Sequence, residues 1–99
     1  MCIRDSPGTR LAITEYNYGG GEHVSGAIAQ ADVLGIFGRE QVFAAALWDL
    51  GGAGRFIDAA FAAYCNYDGA LARFGDTAVA AATSDVQATS IYALSLIHI

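Results

Sequence analysis

Leu11, Ala12 and Ile13 form a short apolar run that gives way to Thr14-Glu15-Tyr16-Asn17-Tyr18 and then to glycines. That pattern predicts a strand over residues 11–14 and a Gly-rich loop over residues 18–22. The period then turns helical. Val24, Ala27, Ile28, Ala31, Leu34 and Gly35 recur at helical spacing, predicting a helix over residues 25–37. Ser25 is its expected N-cap and Gly38 its expected C′ residue. From Val42 to Trp48 the chain is almost continuously apolar, as a strand buried on both faces of a parallel sheet would be. Gly51, Gly52, Ala53 and Gly54 make a second loop, and a helix over residues 55–67 puts Phe56, Ala60, Ala63, Tyr64 and Tyr67 on one stripe. Strand, helix, strand, helix is two βα units of a barrel or an open α/β sheet.

After Asp68-Gly69 the texture changes. Residues 77–83 and 86–93 are rich in Thr, Val, Ala and Ser, alternate in part at period two, and meet at Ser84-Asp85. They predict two antiparallel strands opening a separate β domain, with the boundary near residues 71–74. A parallel pair with both outer edges open can neither satisfy its backbone nor bury its faces. The expected architecture is therefore a slice of a larger α/β fold: residues 7–70 from its barrel-like part and 71–93 from the β part.

The two ends read differently from the middle. Residues 1–6, Met1-Cys2-Ile3-Arg4-Asp5-Ser6, can be encoded by ATG TGT ATA AGA GAC AG and one further base. The reverse complement, CTG TCT CTT ATA CAC AT, reads Leu94-Ser95-Leu96-Ile97-His98-Ile99 with one further base. One short DNA tag, similar to the transposon end used to prepare sequencing libraries, accounts for both termini. Residues 1–6 and 94–99 are accordingly expected to be tag-derived and are set aside in reasoning about the fold.

Without them Cys65 and His23 are the only residues of their kinds, so neither a disulfide nor a Cys/His zinc site is expected, and no metal or cofactor is implied. Cys65, among alanines and tyrosines, is expected to be a small core residue. Removing Arg4 and Asp5 leaves four Arg, no Lys and nine acids, an acidic balance that argues against nucleic acid and anionic membrane as partners. No stretch is long enough to cross a bilayer, and the first residues have no signal-peptide pattern.

Glu15 is the leading candidate for chemistry. A strand that delivers an acid at its C-terminal tip is how a (β/α) barrel presents a carboxylate to a substrate in its mouth. Trp48 ends the next parallel strand, so its flat apolar face and Glu15 are expected in one mouth, where the ring suits a pyranose. Tyr16 and Asn17 follow Glu15 directly and are candidate sugar contacts, although Asn17 could equally hold the Glu15 carboxylate or cap the turn. His23 reads as a solvated loop residue. The glycine clusters lack both G-x-G-x-x-G and a following Lys-Ser/Thr, so flexible βα loops explain them better than phosphate binding. Asp32, an acid inside an apolar helix, is expected to bond to a neighbouring element.

The run Ile13-Thr14-Glu15-Tyr16-Asn17-Tyr18-Gly19-Gly20-Gly21, then Ser25-Gly26 and Ile28-Ala29-Gln30-Ala31-Asp32-Val33-Leu34-Gly35-Ile36-Phe37-Gly38-Arg39-Glu40, resembles glycoside hydrolase family 44. Asn66-Tyr67-Asp68-Gly69, Phe74-Gly75-Asp76-Thr77 and Thr83-Ser84-Asp85 resemble it in the same order. Glu22 and Asp49 depart from it. The resemblance implies a (β/α)8 TIM barrel joined to a β-sandwich, of which this chain would supply the last two βα units and the first sandwich strands. It further implies a secreted, retaining endo-β-1,4-glucanase acting on cellulose derivatives, xyloglucan or related β-glucans, with Glu15 as the nucleophile. The acid/base carboxyl would come from an earlier strand, so the chain alone is expected to be inactive. Two other readings stand: another retaining barrel glycosidase such as a xylanase or mannanase, and a small non-enzymatic Ala/Gly-rich domain.

Overall fold

The computed structural model describes residues 8–48, 52 and 54–96. The element order is β1 (Ala12–Tyr16), α1 (Val24–Arg39), β2 (Ala44–Leu47), α2 (Arg55–Cys65), β3 (Thr77–Val79) and β4 (Ala93–Ser95). β1 and β2 pair in parallel, and β3 and β4 form a separate antiparallel pair. The arrangement is mixed α/β, with α1 packed on α2. No helix among the described residues is long and apolar enough to cross a membrane.

The β1–β2 ladder runs Ala12↔Ala44, Ile13↔Ala45 and then Tyr16↔Leu47. Thr14 and Glu15 therefore stand opposite the single residue Ala46: β1 carries one extra residue at its tip, as a β-bulge does. Backbone bonds close the pair at both ends, Phe43 N–H to the Leu11 carbonyl at 2.8 Å and Trp48 N–H to the Tyr16 carbonyl at 2.8 Å.

α1 starts earlier and ends later than its periodicity predicts. His23, in an extended conformation, is the N-cap in place of Ser25, and the amide of His23 bonds back to the Gly20 carbonyl at 3.1 Å. At the other end Gly38 stays helical. The left-handed residue is Gln41, with φ 57°; its N–H reaches the Gly38 carbonyl, and that of Val42 reaches Phe37. These two bonds make a Schellman motif with glutamine where glycine is usual. α2 stops at Cys65 and not at residue 67, because the Asn66 side chain turns forward to accept the Leu71 N–H at 2.7 Å. Its buried residues are Ile57 and Ala60, each 4% exposed, while Ala63 and Tyr67 of the expected stripe face solvent. Cys65 is exposed, against the expectation of a core position; its neighbour Tyr64 makes the contact with α1, its hydroxyl donating to the Ala31 carbonyl at 2.8 Å.

Two further expectations fail. β2 is not buried on both faces: Ala44, Ala45 and Ala46 are exposed and Phe43 is 61% exposed, because β1 is its sole strand neighbour among the described residues. The β segment does not fold as a hairpin about Ser84-Asp85. Asp85 accepts the Ala88 N–H with its carboxylate and the Thr89 N–H with its carbonyl, curling the chain into a turn where strand pairing was expected. The antiparallel pair instead joins Thr77–Val79 to Ala93–Ser95, so Leu94 and Ser95, read above as tag-coded, lie in β4.

Asp32 meets its expected partner. The Tyr92 hydroxyl donates to Asp32 Oδ1 at 2.8 Å, and the Tyr92 ring lies over Gly35, where a Cβ would come within 2.4 Å of it. Hydrogen bonds from Ser90 and Tyr92 hold the Asp32 carboxyl below its ordinary value, and burial followed by Asp32 itself pushes the Tyr92 phenol up. A cleft of about 810 Å³ lies beside this contact, lined by Leu34, Tyr64, Val79 and Val86 among others.

Candidate active site

The candidate residues gather at the C-terminal ends of β1 and β2. Glu15 is the penultimate residue of β1, exposed, and sits in the bulged stretch. In a regular ladder Glu15 would take the place opposite Leu47; the extra residue gives that place to Tyr16. Bulges beside sites commonly redirect one side chain in this way.

Asn17 uses both ends of its amide. Its Nδ2 donates to the Trp48 carbonyl at 2.8 Å, and its Oδ1 accepts the Gly19 N–H at 2.7 Å. Of the roles open to it, Asn17 therefore caps the turn and also staples β2 to the loop after β1. Trp48 is held on both sides of its backbone, by Tyr16 at the amide and Asn17 at the carbonyl, while its side chain remains open, the residue being 45% exposed. Asp49, the acid next to Trp48, lies outside the described residues, as do Gly51 and Ala53 of the second loop.

Tyr16 points its hydroxyl at α1. Gln30 Nε2 donates to it at 2.7 Å, and its ring meets Phe37 edge-on with centroids 5.5 Å apart. Tyr18 donates to Gln30 Oε1 at 2.5 Å and stacks on Tyr16, 6.4 Å away and tilted by 23°. Burial and the neighbouring Tyr16 raise the Tyr18 phenol above its ordinary value. Gln30 is fully buried and both ends of its amide are paired. Its place was readable in the sequence, three residues after Ala27 and four before Leu34 on the apolar stripe, but its function as the tie between helix and loop needed the structure.

The Gly-rich loop is tied down and not loose. The Gly20 carbonyl lies so close over Gly26 that a Cβ there would be 1.9 Å from the oxygen, and the Gly21 carbonyl accepts the Phe56 N–H of α2 at 3.1 Å. Glycine at residue 26 thus lets α1 approach the loop. His23, read as a loop residue, is the N-cap described above. Among the described residues no group of three or more His, Cys, Asp or Glu side chains is arranged to hold a metal ion. The cleft near Tyr92 is separate, since neither Glu15, Asn17 nor Trp48 lines it.

No protein-family profile matches the chain. It is 53% identical over 87 residues to a β-mannanase/endoglucanase A of Caldicellulosiruptor saccharolyticus, a match covering 88% of this chain and 6% of that protein. To endoglucanase A of Paenibacillus lautus it is 52% identical over 87 residues, covering 88% of this chain and 12% of the relative. Among solved structures, the xyloglucanase from glycoside hydrolase family 44 of Paenibacillus polymyxa, with xyloglucan, superposes with a TM-score of 0.85 at 48% identity, over 90% of this chain and 18% of that one. The chain therefore spans a small part of the length of each protein it matches.

Proposed function

Since this chain is a fragment of a glycoside hydrolase of family 44, we propose that its parent cleaves β-1,4-glucans with retention of configuration and that Glu15 is the nucleophile. The observation that carries this reading is the exposed carboxylate at the bulged tip of β1, beside a Trp48 clamped at the tip of β2. In the parent these strands are the last two of a (β/α)8 barrel, and residues 71–93 begin the β-sandwich. The open faces of β2 support such a slice. So does the matched length of 87 residues, which equals that of residues 7–93 between the tag-like ends.

A retaining glycosidase sets two carboxyl groups about 5–5.5 Å apart across the scissile bond. The Glu15 carboxylate attacks the anomeric carbon and forms a glycosyl ester. A second carboxyl, supplied from outside this chain, protonates the leaving oxygen and then deprotonates the water that hydrolyses the ester. The Trp48 ring offers the flat apolar surface on which a pyranose rests. Asn17 and Tyr16 have their polar atoms engaged within the protein, so their contribution to sugar binding is to hold that rim in place. The substrate is a polysaccharide too large to enter a cell, which supports secretion of the parent.

The test uses the full-length parent. Replacing Glu15 by Ala should abolish turnover of a soluble β-glucan, and azide should restore bond cleavage as a substitute nucleophile, leaving a glycosyl azide. Full activity in that variant would refute the assignment. The 99-residue chain, lacking the acid/base carboxyl, should release no reducing ends from the same substrate. Turnover by the chain that Glu15→Gln abolishes would sink this part of the reading.

One relative carries β-mannanase in its name beside endoglucanase. A retaining mannanase is therefore the second reading, separated from the first by comparing kcat/KM on mannan and on glucan.

A further inference from the structure

We infer that Gln30 is a positioning residue for the reaction proposed above, acting through Tyr16 and Tyr18 on the segment that carries Glu15 and Asn17. The inference rests on that reading of Glu15.

The geometry supplies the argument. Gln30 is 0% exposed, yet its amide spends both polar ends on phenols from the strand tip and loop: Nε2 donates to Tyr16 and Oε1 accepts from Tyr18. Those phenols bracket Asn17, whose amide holds the Trp48 carbonyl, and Tyr16 follows Glu15 directly. One helix side chain thus holds the residues on either side of Asn17. A leucine would fill similar space with no polar group to bury. What the amide adds is attachment, because its two ends hold both phenols at hydrogen-bond distance and a leucine would leave both without a partner. The Gly20 carbonyl packed over Gly26 holds the same loop to α1 one turn earlier. A misplacement of about 1 Å at a reacting group can cost on the order of 100-fold in rate, so loss of this tie should appear in kcat.

Gln30→Glu makes a sharper probe than deletion. A protonated carboxyl has one O–H donor and one acceptor oxygen, reproducing the amide's pattern, whereas a carboxylate only accepts, so Tyr16 must turn its O–H round and an uncompensated charge is buried at a position with no exposure. The titratable groups meeting residue 30 are the Tyr16 and Tyr18 phenols, and burial raises the introduced carboxyl. In the full-length parent, Gln30→Leu should lower kcat by roughly 10-fold or more, with a smaller change in KM. Gln30→Glu should approach the wild-type kcat at acidic pH and lose it as pH rises. This added limb should be seen at temperatures where circular dichroism shows both proteins folded.

A wild-type kcat in Gln30→Leu, or a constant ratio of Gln30→Glu to wild-type kcat across pH, overturns the inference. If Gln30→Leu fails to fold, the pH profile of Gln30→Glu decides. Azide rescue of Glu15→Ala in the same protein separates the two failures. Rescue together with unaffected Gln30 variants overturns the role of Gln30 alone, and a fully active Glu15→Ala overturns both assignments.

Discussion

Replacing Gly35 by Ala should change the sign of its effect according to what stands at residue 92. With Tyr92 present, a Cβ on Gly35 would lie 2.4, 2.5 and 2.6 Å from three atoms of the Tyr92 ring. Carbon contacts of that kind normally relax to about 3.5–4.0 Å, so the ring must withdraw by roughly 1 Å. Overpacking of this sort costs about 1–3 kcal/mol. The withdrawal also strains the 2.8 Å bond from Tyr92 to Asp32, adding about 1 kcal/mol. Against this, alanine is the better helix former by about 1 kcal/mol. The net expectation is a loss of about 1–3 kcal/mol. In a Tyr92→Ala background the clash disappears and the helical gain remains, so Gly35→Ala should stabilise by about 1 kcal/mol. The coupling between the two sites is then about 2–4 kcal/mol. Unfolding midpoints of the four full-length proteins, with amide exchange across α1 as a local check, measure it. A stabilising Gly35→Ala in the presence of Tyr92, or additive effects, would show that the ring does not occupy the glycine notch.

Gln41→Gly should raise the unfolding midpoint of the parent, because a left-handed non-glycine residue costs about 1–2 kcal/mol and the added unfolded-state freedom of glycine returns about 0.5–1 of it. A drop in the midpoint would exclude the Schellman geometry at the end of α1. Asp32 gives the contact with Tyr92 a pH dependence. Its folded carboxyl is held below the ordinary 3.8 by bonds from Ser90 and Tyr92, so its contribution is present above that value and is lost as pH falls through the lower folded one. Amide protection of α1 should therefore weaken in acid, and Tyr92→Phe should flatten that dependence. Equal acid sensitivity in both proteins would contradict the assignment.

The alternation of strand and helix was legible because each βα element has a strong period, and α1 and α2 lie where the apolar stripes put them. Their ends were not, since the termination of α1 depends on Gln41 adopting a conformation for which sequence favours glycine. The β segment misled for a different reason: Thr, Val and Ala in residues 77–93 suit a strand, but Asp85 offers the backbone a competing partner and Tyr92 has a docking place on Gly35. At the candidate site, Glu15 and Trp48 stood out by residue type at strand ends. The commitments of Tyr16 and Asn17 did not, because sequence shows which groups can bond and not which neighbour reaches them first. Gln30 was visible as a polar residue on an apolar stripe, without a partner to give it meaning.

The extra residue in β1 also bears on how such a gene can change. Losing one residue before Leu11 shortens a connection that the ladder does not use. Losing Thr14 would instead pair Glu15 with Ala46 and leave Tyr16 opposite Leu47, an unbroken ladder. Because side chains alternate along a strand, that repair would fix Glu15 on the face opposite to Ile13 and Tyr16. The sheet would become more regular, and the direction that the bulge gives the Glu15 carboxylate would be reset. A deletion of a single residue here therefore spares the scaffold and alters only where one carboxylate can point.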